Sequence, residues 1–157
     1  MRRLKSLIGD EGGSELVEFA VAAAVYFTVL IGVFEFCLAI YAGGFVAYAA
    51  QQGTRYAMVR GGDWSGGCAS ASSFECKATQ GNVQTYILSL PHPGINLIAG
   101  NIVYTALPTT ATGAACTPSA QGCRVKVTVS YSFSLHIPYV PTAAIPLHST
   151  SIETIQN

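Results

Sequence analysis

Two glutamates interrupt an otherwise apolar stretch near the N-terminus. Glu18 and Glu35 are the only charged residues between positions 16 and 50. A carboxylate in hydrocarbon is costly unless it is paired or neutralised. Glu18 therefore needs a cationic partner or a place among the lipid headgroups. Glu35 needs a partner, or it marks the point at which the segment leaves the bilayer.

The segment that carries these glutamates has the length and composition of a transmembrane helix. Its apolar run exceeds the roughly 20 residues that cross a bilayer, and no proline occurs between positions 1 and 60. We expect one helix over residues 14–60, with its first half in the membrane and its more polar second half outside. Arg2, Arg3 and Lys5 precede the apolar run, and positive charge there keeps this end in the cytoplasm.

Small residues recur along the predicted helix. Ala39, Gly43 and Ala47 fall four residues apart, so they share one helix face. Small side chains let two helices approach closely. The spacing predicts a helix-packing surface, although small residues also fall into such a row by chance.

The rest of the chain, residues 61–157, predicts a small α+β domain. A stripe of apolar residues at i, i+3, i+4 and i+7 indicates a short helix that ends before Pro91. Strict alternation of apolar and polar residues later in the chain indicates an antiparallel strand with one buried face. Two further segments have weaker strand patterns, so we expect a sheet of about three strands. The expected elements are a helix over 77–90 and strands over 101–107, 125–135 and 147–155.

The five cysteines fall into two groups. Cys37 lies in the apolar run and is expected to be a small buried residue. The other four lie in polar loops, and an even number of cysteines there indicates disulfides formed in an oxidising compartment. Of the three pairings, we favour Cys68–Cys76 with Cys116–Cys123, because each pair brackets a short loop.

Other chemistry has little support in the sequence. The basic residues form no patch, which argues against nucleic-acid binding. The cysteines lack CxxC spacing, and the three histidines lie far apart without a matching ligand set, so we expect no metal site. No phosphate loop, nucleophile elbow or HExxH motif occurs. We therefore expect neither an enzyme nor a bound cofactor.

The start of the apolar run resembles the processing site of type IV-like prepilins of the tight-adherence (Flp) pilus. Residues 13–19 read GSELVEF. The resemblance implies that a prepilin peptidase cuts after Gly13 and removes a basic leader of residues 1–13. Ser14 would then carry the new N-terminal amine.

In that family a glutamate stands fifth in the mature chain, and Phe or Tyr follows it. Glu18 and Phe19 occupy those places here. The resemblance implies that Glu18 meets the N-terminal amine of a neighbouring subunit. Such pairing neutralises both charges as a subunit passes from the bilayer into a filament.

Two later motifs are similar to those of the TadE-like minor pilins of the same system. Residues 32–36 read GVFEF, with Glu35 in the fourth place. Residues 49–57 read AAQQGTRYA. The positions that carry the second match are Gly53, Arg55 and Tyr56.

The resemblance implies a minor pilin or pseudopilin that acts in pilus assembly, initiation or adhesion. The expected partners are the major Flp pilin, a second minor pilin, prepilin peptidase, the inner-membrane assembly platform and membrane lipid. The expected location is the bacterial inner membrane, as a single pass with the C-terminus extracytoplasmic, and the cell surface once in a pilus. The alternative is a single-pass envelope protein whose outer domain binds a ligand or surface without polymerising.

Overall fold

The computed structural model describes residues 11–66 and 76–156. It confirms the expected α+β architecture, in which a long apolar helix precedes a short helix and a three-stranded antiparallel sheet. A 3-10 turn, Ala99–Asn101, precedes the first strand. The principal elements are α1 (Glu11–Val59), α2 (Gln80–Ser89), β1 (Ile102–Thr110), β2 (Cys123–Leu135) and β3 (Ala143–Thr154).

The chain divides into two compact units. We call the first the helix unit; its described residues are 11–38 of α1 and 134–143, the tip of the β2–β3 hairpin. We call the second the head unit; its described residues are 39–66, 76–133 and 144–156. The boundary therefore falls within α1, which is one continuous helix of 49 residues.

The part of α1 in the head unit supplies one face of a hydrophobic core. Buried residues recur at intervals of three and four, as expected for one face of a helix. The series comprises Ala42, Val46, Ala49, Gly53 and Ala57. The side chains of Ala42, Val46, Ala49 and Ala57 pack in the same core as the sheet and α2. The C-terminal part of the long helix thus provides the apolar cover that a three-stranded sheet needs.

The sheet has the order β1–β2–β3. Ile102 of β1 pairs with Val129 of β2, and the antiparallel register continues to Ala106 opposite Val125. In β2 the predicted alternation holds, since Val125, Val127 and Val129 are buried and the residues between them are not. The strand's remaining inward positions, from Tyr131 onward, are only half-buried.

The short helix α2 protects the outer edge of β1. The side-chain amide of Gln80 accepts a hydrogen bond from the Tyr104 N–H at 2.7 Å and donates one to the Ile102 carbonyl at 2.7 Å. Gln80 therefore provides the acceptor and the donor that the backbone of a neighbouring strand would provide at this edge. Unpaired edges invite association with other chains, and this contact removes that hazard at the start of β1.

The end of the chain closes the head unit through backbone hydrogen bonds. The Gln156 N–H donates to the Met58 carbonyl at 2.9 Å, and the Ile155 N–H donates to the Cys123 carbonyl at 2.8 Å. The first bond joins the residues after β3 to the last turn of α1. The second joins them to the start of β2.

Candidate functional site

The helix-unit part of α1 has an apolar surface that the chain itself leaves largely uncovered. No residue from 13 to 38 is buried, and Phe19 and Phe34 are 74% and 70% exposed. Cys37, expected from the sequence to be buried, is also exposed, because nothing in the helix unit packs over it. The helix Gly13–Val59 is long and apolar enough to cross a membrane. Surfaces of this kind bind lipid or other apolar helices.

The two glutamates lie on different faces of this helix. They are separated by 17 positions, so at about 1.5 Å and 100° per residue they lie about 25 Å apart and point about 100° away from each other. Glu18 is exposed and Glu35 is half-buried. Within the described part of the chain, neither carboxylate has a hydrogen-bond or ion-pair partner. The two side chains therefore face different neighbours.

The residues on either side of the expected cleavage point lie inside α1 as the structure has it. Gly13 and Ser14 are both exposed, and a Cβ added to Gly13 would meet no atom within 4 Å. The helix is already formed at Glu11, three residues before the predicted start. Most of the expected leader, residues 1–10, lies outside the described residues.

The row of small residues lies beside the core-facing stripe of α1. Ala39 is buried, whereas Gly43 and Ala47 are half-buried. A Cβ built on Gly43 would meet nothing within 4 Å. The head unit's own packing therefore does not require glycine at this position. The row remains a predicted surface for contact with another helix.

Gly53 has the opposite environment. A Cβ at this position would come within 2.5 Å of Cδ1 of Ile87 and 3.1 Å of Cγ1 of Val127. Both neighbours are fully buried. The absence of a side chain at Gly53 thus lets α1 approach α2 and β2 closely. The motif residue that sequence resemblance had highlighted has a packing function within the chain.

The residues after Gly53 divide between the core and the surface. The buried Thr54 hydroxyl donates to the Ala50 carbonyl at 2.7 Å. Arg55 is exposed. The buried Tyr56 hydroxyl donates to the Cys76 carbonyl at 2.6 Å, and its ring stacks on Tyr86 with centroids 4.8 Å apart. Of the motif residues, Arg55 is the one free to contact a partner.

Sequence reasoning missed the arginine that lies over the Tyr56 ring. The Arg60 guanidinium lies 4.5 Å from the centre of the Tyr56 ring and 5.6 Å from that of Trp64. Such cation–π contacts stabilise an exposed site by about 0.5–1 kcal/mol. The four-residue spacing of Tyr56 and Arg60 on one helix was the available signal.

The cysteines stabilise the head unit. Cys116 and Cys123 form one of the two favoured disulfides. Cys76 is disulfide-bonded and fully buried, whereas Cys68 lies outside the described residues. Within the described ranges, no group of three His, Cys, Asp or Glu residues is placed to hold a metal ion.

The family comparison matches the part of the chain that carries this exposed helix. The family described as TadE-like protein matches residues 13–55. Over these residues the chain is similar to that family. The matched segment includes Glu18, Glu35 and Gly53, and it indicates a protein associated with the Tad pilus system. No curated protein and no solved structure matches the chain.

Proposed function

We propose that the chain is a minor pilin or pseudopilin of the Tad (Flp) pilus, acting in its assembly, initiation or adhesion. The main support is the exposed apolar part of α1, which carries a carboxylate at Glu18 without a partner among residues 11–66 and 76–156. A helix with this surface is stable only among lipids or other apolar helices. A filament of packed pilin helices provides the second environment.

The proposed mechanism begins in the inner membrane. The chain inserts with its N-terminus in the cytoplasm, and a prepilin peptidase cuts after Gly13. The new amine of Ser14 is a cation close to the start of the helix. On assembly, Glu18 of one subunit pairs with the Ser14 amine of a neighbour. Two mutually neutralised charges tolerate an apolar surrounding better than either charge alone.

The head unit would act outside the membrane and without catalysis. It presents Arg55 and the polar face of the sheet, formed by residues such as Lys126 and Thr128, to partners. We propose contacts with the major pilin, a second minor pilin and the assembly platform. A head of this size suits a minor subunit better than the short bulk subunit of a Flp-type filament.

Processing is tested by the intact mass of the protein extracted from membranes of cells with an active prepilin peptidase. We expect a mature chain that begins at Ser14, and a Gly13→Ala variant that keeps its leader. A wild-type chain that still carries residues 1–13 would contradict the proposal. It would favour the alternative of an anchored envelope protein.

Assembly is tested with Glu18→Ala, using Glu15→Ala as the matched control because Glu15 is exposed on the same helix. Removing one partner of a buried ion pair costs about 3–5 kcal/mol. We therefore expect Glu18→Ala to be trimmed normally yet nearly absent from sheared pili, while Glu15→Ala is incorporated. Wild-type amounts of Glu18→Ala in the pili would refute the pairing.

A further inference from the structure

The tip of the β2–β3 hairpin lies against the apolar part of α1 within the helix unit. A Cβ on Gly32 would lie 3.9 Å from Cδ1 of Ile137. Tyr139, which is 92% exposed, lies beside one face of α1 at an open apolar groove of about 220 Å³. The α1 residues that line the groove are Ala24, Val25, Thr28 and Val29. The tip therefore lies beside α1 between positions 24 and 32, where Thr28 and Gly32 are half-buried.

The composition of the hairpin suits apolar surroundings. No Lys, Arg, Asp or Glu occurs between Lys126 and Glu153. Pro138 and Pro141 lie in the tip and have no N–H group that would need a hydrogen-bond partner. The hairpin thus approaches α1 without a carboxylate, ammonium or guanidinium group. Its ionisable side chains are His136, His148 and tyrosines.

The position of this contact conflicts with full insertion of α1 in a bilayer. Residues 24–32 lie between Glu18 and Glu35, which are about 25 Å apart along the helix. The hydrocarbon core is about 30 Å thick, so an α1 that spans it places these residues among acyl chains.

The hairpin tip cannot follow α1 to that depth. Its backbone is neither a helix nor part of a closed barrel, and each unsatisfied backbone polar group in hydrocarbon costs several kcal/mol. The tip and the acyl chains therefore compete for the same part of α1.

We propose that the surface of α1 at residues 24–32 has two alternating occupants. Acyl chains cover it while α1 is in the bilayer, and the hairpin tip of the same chain covers it once α1 has left the bilayer. The inference rests on the proposed pilin function, because a pilin makes this transfer. Tip docking replaces part of the lipid contact that α1 loses on transfer, and the structure shows the docked state.

The docked state is tested by cross-linking two thiols placed at positions 32 and 137 with a short bis-maleimide, because the reagent does not require the two Cβ atoms to reach disulfide distance. The full-length variant carries Gly32→Cys and Ile137→Cys, together with Cys37→Ser to remove the exposed native thiol. It is treated with the reagent in phosphatidylethanolamine–phosphatidylglycerol vesicles and in sheared pili. We expect a yield about tenfold higher in pili, the ratio that corresponds to about 1.4 kcal/mol between the two states.

The single variants Gly32→Cys and Ile137→Cys, on the same Cys37→Ser background, control for cross-links between subunits. Equal yields of the intramolecular cross-link in vesicles and pili would overturn the proposal. A cross-link that forms in neither would also overturn it, because the docked state would then be absent.

The undocked state is tested by fluorescence quenching in vesicles with brominated acyl chains. Tyr139→Trp reports on the tip and Phe27→Trp reports on α1, each on a Trp64→Phe background that removes the single native tryptophan. We expect strong quenching of the Phe27→Trp variant and little quenching of the Tyr139→Trp variant. Equal quenching would show that the tip enters the bilayer and would overturn the inference.

The quenching experiment does not need pili, so it separates the two proposals. A chain that never enters pili but shows little quenching at position 139 would contradict the pilin function while supporting competition with lipid. A chain that enters pili but shows equal quenching would contradict only the alternating occupancy.

Discussion

The two parts of α1 differ in how their apolar surface is covered. From Ala42 onward the helix packs on its own sheet and α2, and Ala49 and Ala50 are completely buried. From Gly13 to Leu38 the same helix has no buried residue. Both parts are apolar, so composition does not distinguish them. The difference shows that one part of the helix is covered within the head unit, whereas the described residues of the helix unit leave the other part largely exposed.

The largest expected effect separates two glycines, one in each part of α1. Gly53→Ala places a Cβ against buried Ile87 and Val127, and overpacking of this kind costs about 1–3 kcal/mol. Gly32→Ala adds a side chain with ordinary contact only, and alanine favours a helix by up to about 1 kcal/mol. Denaturant unfolding in detergent, followed by Trp64 fluorescence, should show a lower free energy of unfolding for Gly53→Ala and no decrease for Gly32→Ala. Equal effects would remove the contrast between the two parts.

Cysteines give the next contrast. Replacing Cys116 and Cys123 by serine opens a short loop in the head unit, for which chain entropy predicts a loss of about 2 kcal/mol in unfolding free energy. Cys37→Ser changes an exposed residue of the helix unit and should leave that free energy unchanged. Both are measured by denaturant unfolding under non-reducing conditions. A double variant as stable as the wild type would mean that the disulfide contributes nothing to the head.

Tyrosine hydroxyls give the smallest contrast. Tyr56→Phe removes the hydrogen bond to the Cys76 carbonyl inside the head unit and should cost about 1 kcal/mol. Tyr26→Phe alters a side chain that is 61% exposed in the helix unit and should change the unfolding free energy by less. Denaturant unfolding midpoints of the two variants, compared at an unchanged m value, measure this difference. A larger effect at Tyr26 would mean that the exposed part of α1 contributes to head stability.

Sequence patterns predicted the elements of the fold well where their periodicity was strong. The apolar run and the absence of proline predicted α1, and the alternation from Val125 predicted β2. The boundaries were less certain: the predicted helix 77–90 is observed as Gln80–Ser89, and the third strand begins at Ala143 instead of 147. Helix and strand ends depend on capping and pairing partners, which a linear pattern does not contain.

The candidate site was predicted only in part. Resemblance identified Gly53 but gave no reason for it, and the reason is its closeness to Ile87 and Val127. Sequence spacing highlighted the row through Gly43, whereas the head packs on the neighbouring stripe. No linear pattern indicated that Gln80 would satisfy the edge of β1 or that Ile137 would lie beside Gly32. Each of these contacts joins residues far apart in the chain, so local periodicity cannot predict them.

By itself, the sequence determined the long apolar helix, the two glutamates within it and the alternating strand that requires a covered face. These features follow from local composition and spacing, which set the hydrophobic pattern of each element. The tertiary structure decided which part of α1 covers the sheet and which part stays exposed. Which part is buried depends on the close approach at Gly53 and on pairing between residues distant in the chain. Apolar attraction is non-directional, so steric complementarity determines which apolar surfaces pack together.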